Sequence, residues 1–112
     1  MSHTNFKIIQ GDEWKLTITY TDVNDIPIDI SHYNLIAEVT DKPGSKNVTA
    51  TVTTQGGQIV SVDDGTGATV TVTFSAAQTR KFVLPKSYYQ IKIVDTADTL
   101  LNGWVELEPS NL

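Results

Sequence analysis

The strongest constraint in this sequence is an alternation. Between Gln10 and Ser31 the chain reads QGDEWKLTITYTDVNDIPIDIS, and from Trp14 to Thr21 apolar and polar residues take turns. Side chains of a strand point to opposite faces with period two, so Trp14, Leu16, Ile18 and Tyr20 share one face, and Lys15, Thr17, Thr19 and Thr21 share the other. A sheet with one greasy and one wet face packs against a second layer on one side only. That is the habit of antiparallel sheets.

The pattern recurs along the chain, separated by turn residues. Phe6 to Ile9 forms a short first strand before Gly11-Asp12 turns the chain, and Asp22 to Asp25 ends the Trp14 strand because Asp and Asn side chains compete for backbone hydrogen bonds. Pro27 fixes its own φ and pushes Ile26 toward extended geometry, so Ile26 to Ile30 is expected as an edge segment, with Ile28 and Ile30 plugging one end of the core. Leu35 to Thr40 and Asn47 to Thr54 alternate in the same way. Between them Lys42-Pro43-Gly44 has Pro and Gly where the central residues of a type II turn belong. Gly56-Gly57 is expected to make a hairpin into Gln58 to Val62, and the Asp63 to Gly67 turn leads to Ala68 to Phe74, with Val70, Val72 and Phe74 inward. Ser75 and Gln78 are spaced as a capping box, which predicts a helix of one or two turns. Tyr88 to Val94, with Tyr89, Ile91 and Ile93 inward, and Leu100 to Glu108 complete the set. Strands spaced this closely predict an all-β fold, a two-sheet antiparallel immunoglobulin-like β-sandwich with one short connecting helix.

At 112 residues the chain fits a single domain spanning 1–112, with residues 1–4 and 110–112 expected to be loose. Cysteine is absent, which removes disulfides, thiolate zinc sites and cysteine nucleophiles together. A net charge of -5 and a pI near 4.7 disfavour a phosphate-backbone partner, so no nucleic acid is expected. The opening MSHTNFKIIQGDE has no basic start followed by an apolar core, and no apolar run approaches the ~20 residues of a membrane span. No membrane partner is expected, and synthesis in a cytoplasm is.

Candidate chemistry is sparse. His3 and His32 have no basic or metal-ligand partner at a useful spacing, so no catalytic residue is assigned and no enzymatic activity is expected. Asp22, Asn24, Asp25 and Asp29 crowd one loop and Asp63 and Asp64 another, but neither follows a calcium-loop pattern. Turn chemistry accounts for them, and no metal or cofactor is expected. Asn47-Val48-Thr49 fits a glycosylation acceptor without a secretion signal to support it. Trp104 is the residue of most interest. If the last strand alternates cleanly, Trp104, Glu106 and Glu108 point to solvent, whereas a bulge at Gly103 would turn Trp104 inward. An outward tryptophan suits a protein interface or a sugar-stacking platform. Tyr88, on the opposite parity from Tyr89, is a second candidate for that face, and Trp104, Tyr88 and Glu106 together are the candidate interface.

Taken in order, QGDEWKLTITYTD, IPIDIS followed by a tyrosine, a strand ending in SAAQT, YYQIKIVD and LLNGWVELEP resemble small virion domains of tailed-phage proteins. The chain is similar to the N-terminal domain of baseplate upper proteins and related tail-fibre or neck modules. The resemblance implies that Gly11, Asp12, Pro27, Asp29 and Gly103 are structural markers, and that none is catalytic. It implies a structural virion protein of the tail, baseplate or neck, made in the host cytoplasm, which binds other virion proteins and copies of itself as a homo-oligomer. Because a baseplate upper protein continues past the position of Pro109 into a stalk or receptor-binding region, a free-standing subunit is expected here. The rival expectations are a small carbohydrate-binding module using Trp104 and Tyr88, and a calcium-stabilised adhesion domain.

Overall fold

A computed structural model describes residues 2–63 and 65–109. The alternation read above becomes strands β1 (Ser2–His3), β2 (Phe6–Ile9), β3 (Trp14–Thr19), β4 (Leu35–Thr40), β5 (Val48–Thr53), β6 (Ile59–Ser61), β7 (Thr69–Phe74), β8 (Lys86–Ile93) and β9 (Thr99–Glu108), with one short helix, α1 (Ala76–Thr79). One sheet has the order β1-β9-β8-β4-β5, with β2 also on β9, and the other has the order β3-β7-β6. Strands β3, β7 and β6 stand where strands B, E and D of an immunoglobulin sandwich stand, and β4, β8, β9 and β5 where C, F, G and the added variable-type strand stand. The fold is an immunoglobulin-like β-sandwich.

The inward residues named from the alternation meet between the sheets: Trp14, Leu16 and Ile18 face Val70, Val72 and Phe74 in register, and Ala37, Val39, Tyr89 and Ile91 come from the opposite layer. Immunoglobulin domains often tie strands B and F with a disulfide. Here Trp14 of β3 lies edge-on to Tyr89 of β8 at 5.6 Å and stacks on Phe74 at 5.4 Å, while Phe6 and Phe82 close the cluster from the sides. The aromatic rings bridge the sheets without a covalent link.

Several expectations hold in detail. Ser45 N–H donates to the Lys42 carbonyl at 3.2 Å across Pro43 and Gly44, whose φ of 75° is what a type II turn requires. The Ser75 hydroxyl accepts from Gln78 N–H while the Gln78 side chain accepts from Ser75 N–H, so the capping box starts α1. Ile30 is buried and Ile28 partly so.

Three expectations are corrected. The sheets are not purely antiparallel, because β1 and β2 both run parallel to β9. The start of the chain is not loose from residue 2: Ser2 and His3 pair with Leu101 and Asn102, since the edge of β9 offers unsatisfied backbone groups. Gly56-Gly57 does not close a hairpin, for β5 and β6 lie in different sheets and the turn carries the chain from one layer to the other. Ile26 to Ile30 is the edge segment expected, without a ladder of its own: a Thr21–Pro27 bridge and bonds from Ile28 N–H to the Tyr20 carbonyl and from Ile30 N–H to the Gly67 carbonyl hold it, as proline denies a ladder its donor. Asp64 and the expected loose end at 110–112 fall outside the described residues.

Candidate functional site

Gly103 sets the geometry of the candidate face. Pairing of β8 with β9 runs without a break from Lys86↔Glu106 to Ile91↔Leu101, so no bulge occurs at Gly103, and the shift lies one step later, between Ile91 and Lys92. Gly103 faces Tyr89 on the core side, and Trp104 therefore falls on the outer face. Glycine is required there by close approach. A Cβ on Gly103 would collide with the Thr4 carbonyl, where the N-terminal segment runs alongside β9 between β1 and β2. Thr4 N–H donates to the Asn102 carbonyl at 2.8 Å, and Asn5 Oδ1 accepts from Trp104 N–H at 3.0 Å.

On the outer face the cross-strand pair Tyr88↔Trp104 is in edge contact, ring centroids 5.5 Å apart. The Lys86 ammonium lies 4.3 Å from the centre of the Trp104 ring, a cation–π contact, and Lys86 is itself in register with Glu106. Trp104 is half-buried, Glu106 is exposed, and Tyr88 is only 7% exposed. The three residues singled out from the sequence are thus brought together, but unequally: Tyr88 supports Trp104 from below more than it offers a surface. Lys86 was missed by sequence reasoning, although its parity with Tyr88, two positions on, was a signal for it.

Next to this patch the 41–47 turn rises over the sheet and makes a cleft of about 350 Å³, lined by Glu38, Thr40, Ser45, Tyr88, Gln90 and Lys92. The face as a whole is an amphipathic surface: an aromatic centre with carboxylate, amide, hydroxyl and ammonium groups around it. Such a surface can bury a flat partner and fix its orientation by polar contacts at the rim.

In the 22–29 loop, one carboxylate oxygen each of Asp22 and Asp29 is engaged in a turn. Asp22 Oδ1 accepts from the N–H groups of Asn24 and Ile26, and Asp29 Oδ1 accepts from the N–H and hydroxyl of Ser31. Those Ser31 bonds hold the Asp29 carboxyl below the usual carboxylate range. Hydrogen bonding from Ser45 does the same for Asp41. Among the described residues no group of metal-ligating side chains gathers. His32 is exposed and lies 3.9 Å from Asp29 Oδ1, against the ring of Tyr33. No helix of the described residues is long and apolar enough to cross a membrane.

No protein-family model matches the chain, and no curated protein matches it. Among solved structures it is similar to the NK cell receptor Nkp44, described as a triggering partner in natural cytotoxicity, at 9% identity and a TM-score of 0.44, over 98% of this chain and 100% of that one. At that level the likeness adds nothing to the strand order, on which the assignment of the sandwich stands.

Proposed function

We propose that the protein is a structural component of a tailed-phage virion, in the tail, baseplate or neck, that works by binding neighbouring virion proteins and copies of itself. The outer face around Trp104 and Tyr88 is its docking surface. The observation that carries this is the placement of Trp104: a half-buried indole on a solvent-facing sheet, braced by Tyr88 and ringed by Lys86 and Glu106. Residues that dominate protein interfaces are large, rigid and surrounded by polar groups in this way. The order of motifs along the chain supplies the virion setting.

The sugar-binding alternative is weaker on the same geometry. One face of the Trp104 ring is taken by the Lys86 ammonium, so a sugar could stack there only by displacing it.

The test is co-sedimentation of labelled protein with phage particles or with co-expressed tail and neck proteins. Wild type is expected to sediment with them, and Trp104→Ala to bind about thirtyfold more weakly, as for an interface anchor worth about 2 kcal/mol. Absence of co-sedimentation, or a saturable fluorescence response to a glycan panel that Trp104→Ala abolishes, would overturn the proposal.

A further inference from the structure

We infer that the trough between β6 and the 29–34 segment takes an extended, basic peptide segment of a partner, which pairs with the open backbone of β6 and sets its cationic side chains against Asp29 and Asp63. The inference goes beyond the assembly reading: it concerns a different surface from the face around Trp104 and does not depend on the virion setting.

The open side of β6 follows from its bonds to β7. Thr73 N–H donates to the Gln58 carbonyl at 3.0 Å and Val62 N–H to the Thr69 carbonyl at 2.8 Å, in one register with the Val60↔Thr71 pair. In an antiparallel ladder, residues bonded to the neighbour alternate with residues whose N–H and C=O both point the other way. Ile59 and Ser61 belong to the second set, and β6 pairs with β7 alone, so their backbone groups face out of the sheet. An edge of this kind is a template for another chain unless charge or proline blunts it. Neither does so here, because Asn47 to Val62 holds no charged residue and no proline.

Beside that edge runs the trough. Two adjoining clefts of about 420 Å³ each share Ser31 and Ser61, the first lined by Tyr33, Gln55, Ile59 and Val60 and the second by Asp29, Asp63 and Gly65. Together they follow β6 along its length and past its end, a half lined by apolar and amide groups leading into a half lined by carboxylates. Val60 is 56% exposed there, and Ser61 is exposed at the junction. Strand β6 has three residues, so an added chain gains few ladder bonds and the walls of the trough supply the rest of its contact.

Charge selects the occupant. Bonds from Ile30 N–H to the Gly67 carbonyl, from Tyr20 N–H to the Ala68 carbonyl and from Val94 N–H to the Asn34 carbonyl draw the loops 20–34, 62–68 and 94–98 to one end of the sandwich. Those loops carry Asp22, Asp25, Asp29, Asp63, Asp95 and Asp98, while the stretches 16–41, 47–79 and 93–112 hold no lysine or arginine. A field of one sign over a cleft raises the local concentration of a ligand of the opposite sign. Lysine and arginine on the incoming segment meet that field, and the apolar residues beside them lie along Tyr33 and Val60. Two copies of this chain meeting at β6 would instead bring the same aspartates together, which like charge opposes.

Amide spectra of the isotope-labelled protein, titrated with the peptides KRTVTV, its reverse VTVTRK and the acidic EETVTV, test this. The expected result is saturable binding of a basic peptide at about 100 µM, with the Ser61 amide newly protected from exchange and the Val62 amide, already bonded to Thr69, unchanged. N-methylation of one alternating set of peptide amides abolishes binding and of the other set does not, because only one set faces β6. Asp63 is exposed and lies outside the strand, so Asp63→Lys leaves the fold intact and weakens binding about tenfold, as does raising salt from about 50 mM to about 500 mM. Trp104→Ala leaves peptide binding unchanged, which keeps this result separate from co-sedimentation with virion proteins. No binding of either basic peptide up to about 1 mM, equal binding of EETVTV, or an unprotected Ser61 amide in the complex would each overturn the inference. Ser61 protection that rises with protein concentration alone would overturn it in favour of a second copy.

Discussion

Tyr89 has a single polar side-chain atom in an apolar site, and its hydroxyl donates to the Thr4 carbonyl, on the segment that lies against Gly103. The residue does two things at once: its ring fills the aromatic cluster, and its hydroxyl latches the N-terminal segment that presents Asn5 to Trp104 N–H. Burial, with Tyr88 alongside, pushes the phenol pKa well above its ordinary value. An unfolded phenol ionises near about 10, so the stability tied to the protonated form is complete below about pH 10 and declines as pH rises from there toward the folded value. Tyr89→Phe is expected to lower unfolding free energy at neutral pH by about 1–3 kcal/mol, since it leaves a carbonyl without its donor. Urea titrations across the alkaline range should show a flatter decline in the variant. An equally steep decline would assign the alkaline loss to other groups.

Among the elements, α1 matters more for what it holds than for its length. Thr79, fully buried in its only turn, donates its hydroxyl to the Asp12 carbonyl at 2.8 Å and accepts from Gly11 N–H at 3.0 Å. One side chain thereby ties the turn between β2 and β3 to the connection between β7 and β8. Thr79→Val keeps the shape and removes the hydroxyl, leaving both groups of the turn unpaired, and is expected to cost about 2–4 kcal/mol by thermal or urea unfolding, against about 1 kcal/mol for Ser75→Ala at the cap. A Thr79→Val cost no larger than that of Ser75→Ala would show that water replaces the hydroxyl. The capping box was legible because its parts are three residues apart. The role of Thr79 was not, because its partners lie 67 and 68 positions away. The same limit explains Gly56-Gly57: a glycine pair announces a turn whether the chain returns to its own sheet or crosses to the other. The parallel pairing of β1 and β2 was hidden for a related reason, since strand direction is a property of the pair.

For the whole molecule, what separates stability from recognition is the position of two tryptophans on opposite sides of the same wall. Period-two alternation made the core face readable from Trp14 to Phe74. For Trp104 it left two orientations, outward by clean alternation or inward by a bulge at Gly103. What it could not supply was the close approach of the Thr4 carbonyl to Gly103, which explains the glycine without a bulge and leaves Trp104 outside, under the Lys86 ammonium. Trp14 is 5% exposed and touches Phe6, Phe74, Phe82 and Tyr89, so it joins both sheets. Trp14→Ala is expected to cost about 3–5 kcal/mol, a large part of the roughly 5–15 kcal/mol that holds a domain of this size. Trp104→Ala removes a half-buried ring with one face toward solvent and is expected to cost about 1–2 kcal/mol, a smaller loss because part of that ring is already hydrated. Urea unfolding of the two variants checks this, read as a shift in midpoint at an unchanged slope. Fluorescence adds an independent readout, because the Trp104→Ala protein retains only the buried indole and should emit to the blue of wild type. Equal losses of stability in the two variants would mean that the outer face is part of the structural core, and that the ring at 104 is not free to serve as a docking anchor.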